Sequence, residues 1–171
     1  MKQKILLAIT LVIACSFITK PFSYTISPLD PKTGLAKGTL EKLTAMIQTK
    51  GKTSTTSYSY TIDKATSPIR IKINDAAFQS ALNSQNTLGN TNDYITLYKL
   101  SSGKTNRSFT INTNGTTNAA LIPISFTPTE TRTYTKIAPA QPLATGEYAF
   151  VDMSTKTSDG NITVWCFGIE N

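Results

Sequence analysis

The sequence predicts an all-β domain, an antiparallel β-sandwich of the immunoglobulin-like or jelly-roll-like kind preceded by one short helix. Three observations carry the prediction. Beyond Thr53, bulky apolar residues alternate with polar ones in segment after segment, the period of a half-buried strand. The segments are divided by short connections rich in Gly, Pro, Asn and Asp, which favour tight turns. No strand–helix–strand rhythm recurs, so a parallel sheet is not expected. A small barrel is the alternative closure of the same strands.

The stretch from Pro142 to Ile169 is the most organised. Glu147 to Val151 is rich in strand formers, Asp159-Gly160 supplies a turn, and Ile162 to Ile169 returns as a second strand. Ile162, Val164 and Cys166 lie on one face of that strand, and Trp165, Phe167 and Ile169 on the other. A strand apolar on both faces belongs in the centre of a sheet, covered on both sides. Tyr148, Phe150, Trp165, Cys166 and Phe167 are therefore the expected core anchors.

Residues 1–16 have the form of an export signal, residues 17–35 read as a tether, and residues 36–171 read as one β-rich domain. In the leader, Lys2 and Lys4 precede an apolar run from Ile5 to Ala14 that is short for a membrane span. Val12-Ile13-Ala14-Cys15 resembles a bacterial lipobox, in which Cys15 is lipidated and becomes the mature amino terminus. Cleavage after Ser16 by an ordinary signal peptidase and an uncleaved anchor are the alternatives. Pro21, Pro28 and Pro31 and the lack of a sustained period mark the tether.

Leu40, Leu43 and Ile47 recur at helical spacing, with Thr39 as a cap, and predict a helix near 39–48. Strands follow at Tyr58–Ile62, at Ile69–Ile73 with Arg70 and Lys72 facing outward, at Tyr94–Leu100, and at Arg107–Asn112. Asp75–Gly89 reads as a helical turn or packed loop. Pro123 interrupts the strand Ala119–Phe126 and implies an edge position or a bulge. Thr131–Ile137 returns toward the final hairpin. The total is about eight strands.

The chemistry is bounded mainly by composition. The chain has no histidine, which removes the usual general base, the Ser-His-Asp and Cys-His arrangements and most catalytic zinc sites. Asp75, Asp93, Glu147 and Asp152 are the carboxylates that glycoside chemistry would draw on, and no spacing links any pair of them. No loop has the ligand spacing of a calcium site, Asp152 and Asp159 included. No catalytic residue, metal or cofactor is predicted. Lys and Arg number 17 against 10 acids, for a net charge of +7, but no arginine cluster exists and the leader argues against a nucleic-acid partner. Of the two cysteines, Cys15 is lipidated or removed under either processing route, which leaves Cys166 as a lone, inert core thiol.

Tyr134 to Pro139, Pro142-Leu143, Gly146-Glu147-Tyr148-Ala149-Phe150 and Trp165-Cys166-Phe167-Gly168-Ile169, with the earlier Ile69-Arg70-Ile71, resemble the closing hairpin of a loose group of uncharacterised bacterial exported proteins. The resemblance implies an extracytoplasmic β-domain and carries no activity. The sequence-level expectation is a non-catalytic envelope lipoprotein or secreted domain, with another envelope protein as partner and the membrane reached through the lipid on Cys15. The alternative is a carbohydrate or cell-wall binding module that presents Tyr58, Tyr60, Tyr94 and Tyr98 to glycan or peptidoglycan.

Overall fold

A computed structural model describes residues 24–48, 57–82, 95–112, 118–128 and 134–171. Thirteen strands are arranged in two sheets. The strands are β1 (Tyr24–Pro28), β2 (Glu41–Gln48), β3 (Ser57–Ile62), β4 (Arg70–Lys72), β5 (Phe78–Leu82), β6 (Ile95–Lys99), β7 (Ser101–Ser102), β8 (Arg107–Asn112), β9 (Leu121–Ile122), β10 (Ile124–Pro128), β11 (Tyr134–Pro139), β12 (Gly146–Asp152) and β13 (Ile162–Glu170). A 3-10 turn, Met153–Thr155, leads out of β12.

The large sheet runs β7-β8-β3-β2-β13-β12-β6-β9, with β4 added in parallel to the end of β13. Its other pairings are antiparallel. The sheet curls into a half-barrel, and its seam is bridged by the chain itself. β6 pairs with β12, and after the single residue Leu100 the same extended segment, now β7, pairs with β8. The small sheet runs β1-β5-β11-β10, all antiparallel.

Two cores result, one on each face of the large sheet. Inside the curl lie Ala45, Tyr60, Ile62, Tyr98, Phe109, Val151, Ile162, Val164 and Cys166, all contributed by the large sheet. On the outer face, Leu97, Tyr148, Phe150, Trp165, Phe167 and Ile169 meet Ile26, Phe78 and Ile137 of the small sheet. Phe78 sits at the centre of this contact, with its ring centroid 4.9 Å from Phe150 and 4.8 Å from Phe167, the tilted and edge-on geometry that ring quadrupoles favour. β13 lies between β2 and β12 and is buried on both faces from Ile162 to Ile169 apart from the half-buried Thr163. Its alternation assigns Ile162, Val164 and Cys166 to the inner core and Trp165, Phe167 and Ile169 to the outer one.

Three segments differ from their sequence reading. Residues 41–48 form strand β2 and not a helix. Leu43 and Ile47 are four residues apart, which places them on one face of a helix and equally on one face of a strand. Pairing with both β13 and β3 decides for the strand, with the small Ala45 buried between them. The stretch read as a tether includes β1, whose Ile26 is fully buried. Within the stretch read as a turn or packed loop, Phe78–Leu82 is strand β5, the partner of both β1 and β11.

Pro123 occupies the point where the chain changes sheets. Leu121–Ile122 ends the large sheet as β9, and Ile124–Pro128 ends the small sheet as β10. A residue that cannot donate to a ladder is suited to such a crossing.

Candidate functional site: an ionic plug and an open sheet edge

The inner face of the half-barrel is apolar along its length and charged at one end. Three strands each place one charged residue on the inward parity: Glu41 before Leu43 and Ala45 on β2, Arg107 before Phe109 and Ile111 on β8, and Glu147 before Ala149 and Val151 on β12. Arg107 is fully buried and Glu147 is 5% exposed. Arg107 Nη1 donates to Glu147 Oε2 at 3.0 Å, Arg107 Nε donates to the Lys64 carbonyl at 2.8 Å, and Nη2 faces Glu41 Oε2 at 3.6 Å. Lys64 donates to the other oxygen of Glu41, and Arg70 donates to Glu147 Oε1.

The segment between β3 and β4 closes this end. The Ser67 amide donates to Glu147 Oε2 at 2.9 Å, and its hydroxyl donates to the Cys166 carbonyl at 3.2 Å. The sheet is shaped to receive Arg70, because Gly168 faces both Arg70 on β4 and Glu147 on β12. A Cβ at position 168 would overlap the Arg70 guanidinium, so the guanidinium lies over Gly168 in space that a side chain there would take.

The charged groups of this cluster bind mainly one another. Glu147 accepts from Arg70 at Oε1 and from Arg107 and the Ser67 amide at Oε2. Buried charges of this kind are tolerated because they are paired and hydrogen-bonded. Among the described residues, Glu41 Oε2 and Arg107 Nη2 have no hydrogen-bond partner and are joined by their ion pair. The plug orients β2, β8 and β12 and covers the end of the inner core.

The other residues singled out in the sequence are placed as follows. Tyr148, Phe150, Trp165, Cys166 and Phe167 are all buried. Burial pushes the Cys166 thiol up to about 12, against a smaller opposing pull from Arg107. Tyr60 and Tyr98, read as members of a flat binding face, point into the inner core, where both pack against Phe109 with ring centroids 5.3 Å away. Tyr58 is half-buried beneath the Lys156 ammonium, 4.7 Å from its ring centroid. Cys15, Asp93 and Tyr94 lie outside the described residues. Asp75 sits in the turn after β4, and Asp152 caps the 3-10 turn through Oδ1, with Ser154 as donor. Asp159 is exposed. Among the described residues, no group of three or more acidic or cysteine side chains is placed to hold a metal ion.

Glu41, Arg107, Ser67 and Gly168 escaped the sequence reading. Arg107 and Glu41 were legible in principle, since each shares the parity of the buried residues that follow it along the strand.

The edges of the small sheet differ from each other. At β1 the outward carbonyls of Ile26 and Pro28 accept from the amides of Leu40 and Lys37, both at 2.8 Å, so the chain covers its own edge. At β10 the backbone register fixes which groups face outward. Ala140 N–H donates to the Pro123 carbonyl, in line with the pairs Ser125↔Ala138 and Thr127↔Lys136. Bonds in an antiparallel ladder alternate along the strand, so Ser125 and Thr127 bond toward β11 while the backbone groups of Ile124 and Phe126 point away from it. Among the described residues nothing pairs with that outer edge. Ile124 and Phe126 are part-buried against the outer core, and Leu121, just before Pro123, is 41% exposed.

No family model, curated protein or solved structure matches the chain.

Proposed function

We propose that this protein is a non-catalytic component of the bacterial envelope that docks another protein through the outer edge of β10. The observation that carries the reading is the pair of outward-facing peptide groups at Ile124 and Phe126, set in a segment, Ala119 to Pro128, without a charged residue. Exposed edges are normally guarded by charge, by proline, by shortness, by bulges or by a covering segment. Pro123 and Pro128 bound this short edge and leave the groups of Ile124 and Phe126 between them. Added strands bind through such main-chain groups. The ionic plug, whose charges pair with one another, agrees with a domain whose buried charges serve its own architecture. The alternative, a glycan-binding face, loses support because Tyr60 and Tyr98 are core residues.

Export by the leader, with cleavage before Cys15 and lipidation at Cys15, completes the proposal and would hold the domain at a membrane surface. Among the described residues no helix is long and apolar enough to cross a membrane. Intact-mass measurement of membrane-fraction protein tests the anchor: a diacylglyceryl or triacyl group on Cys15 is expected, and an unmodified chain starting at Phe17 refutes it.

A photocrosslinking side chain at Ser125, which is exposed on β10, tests the docking edge in intact cells. Adducts are expected from position 125 and not from the exposed Thr44 of β2. Equal yields from the two positions would remove the edge as a binding site.

A further inference from the structure

We infer that the strand seated on the β10 edge is the β10 strand of a second copy of this chain, so that two small sheets join into one continuous antiparallel sheet. The inference rests on the reading of β10 as the docking edge and adds the identity of the occupant.

The edge is self-complementary. Its outward peptide groups belong to Ile124 and Phe126, two residues apart, with Ser125 between them. Placing a second β10 antiparallel, with a two-fold axis through Ser125, sets Ile124 opposite Phe126 of the other copy and Phe126 opposite Ile124. Each is a hydrogen-bonded pair in which both residues exchange N–H and C=O, so every outward donor and acceptor of the two residues is used. The prolines do not interfere. Pro123 turns its carbonyl toward β11, where Ala140 donates to it, and Pro128 lies beyond the paired core of the contact. The same two-fold keeps the sheet faces in register. Ile124 and Phe126 of both copies stay on the core side, and Ser125 and Thr127 of both stay on the exposed side.

Charge permits this pairing. No charged residue lies between Ala119 and Pro128, so copying the strand across the axis places no like charges opposite each other, the usual obstacle to a strand meeting itself. The opposite edge of the sheet is closed by Lys37 and Leu40. Growth therefore stops at two copies, as a two-fold contact requires.

The register gives the test. Ser125 is opposite Ser125 as a non-hydrogen-bonded pair, with Cα atoms about 4.5 Å apart, within disulfide reach. Thr127 is displaced from its own copy by four residues along the strand, or about 13 Å, beyond disulfide reach. The full chain as processed by the cell is expected to be dimeric by light scattering. Under mild oxidation Ser125→Cys should give a 125–125 crosslink by mass spectrometry, and Thr127→Cys should give none. Ser125→Lys and Ser125→Glu should each be monomeric, and mixing them should restore a heterodimer. If either charged variant fails to fold by circular dichroism, the two cysteine variants decide alone. A monomeric wild type, or crosslinking at 127 as efficient as at 125, overturns the inference. A monomer that still crosslinks from position 125 to a different envelope protein overturns self-pairing alone, whereas no adduct of any kind from position 125 overturns the docking edge as well.

Discussion

Arg70 reaches Glu147 by passing over Gly168, the one residue that stands between them in the sheet. The guanidinium occupies the volume that a side chain at 168 would need: a Cβ there would lie only 2.6 Å from Arg70 Cζ and 2.9 Å from Glu147 Oε1. The glycine therefore acts through space on an ion pair to which it contributes no atom.

Gly168→Ala is accordingly expected to displace Arg70 toward solvent and to destabilise the domain by at most about 1.5–3 kcal/mol, the range for a hydrogen bond to a charged group. The Arg70 side chain is already 39% exposed, which favours the lower end. Arg70→Ala should cost a similar amount, and the double variant should cost little more than either. A double-mutant cycle by urea denaturation checks this; additive effects would show that Gly168 acts elsewhere.

Arg107→Met leaves Glu147 and Glu41 inside the domain without their shared cation. Breaking a buried ion pair on one side typically costs about 3–5 kcal/mol, and Arg107 has no exposed surface. The urea midpoint of this variant should fall far more than that of Lys64→Met, whose side chain is 47% exposed. Equal shifts would place the weight of the plug at its rim.

Tyr60→Phe is expected to be neutral or mildly stabilising. The Tyr60 hydroxyl is buried without a hydrogen-bond partner among the described residues, while the ring stacks on Phe109 at an interplanar angle of 15°. Removing an unsatisfied polar group removes its desolvation cost of about 1–3 kcal/mol and keeps the stacking. A drop in thermal midpoint would reveal a partner for the hydroxyl.

Stability should decline in alkaline solution. The Cys166 thiol rises from its ordinary 9.0 to about 12 in the folded chain, and burial also raises Tyr60, Tyr98 and Tyr148 above 10.0. An acid whose folded pKa is raised stabilises the fold fully below its unfolded value, and that contribution is lost as pH climbs toward the folded value. The loss should begin near pH 9.0, the ordinary value of the thiol, and Cys166→Ala should shift its onset upward. In the native state the thiol should resist alkylation at about pH 8 and react once the chain is unfolded in urea.

The sequence made the outer and inner faces of β13 legible because a strand covered on both sides has to be apolar at both parities. It also marked Pro123 as an edge or a bulge, since the ring removes a ladder donor. It misassigned 41–48 because Leu43 and Ile47 satisfy two periods at once, and only pairing with β13 and β3 separates them. The tyrosines were ambiguous for a related reason. Alternation tells which residues share a face of a strand, but not whether that face turns into the curl or out toward solvent. Curvature is a property of the whole sheet, set where Leu100 carries β6 into β7.

That bridge at Leu100 also determines how the domain can fail. β6 covers β12 from Tyr148 to Asp152, and β7 covers the first two residues of β8, Arg107 and Ser108. Detaching residues 95–102 would uncover one side of β12 and the start of β8 together, along with Tyr98, Leu100 and the apolar interior they face. Two unguarded, strongly apolar edges in one opened molecule are templates for aggregation. The seam is thus the place where a local opening becomes a self-propagating one, and amide hydrogen exchange along 95–102 would report how often it occurs.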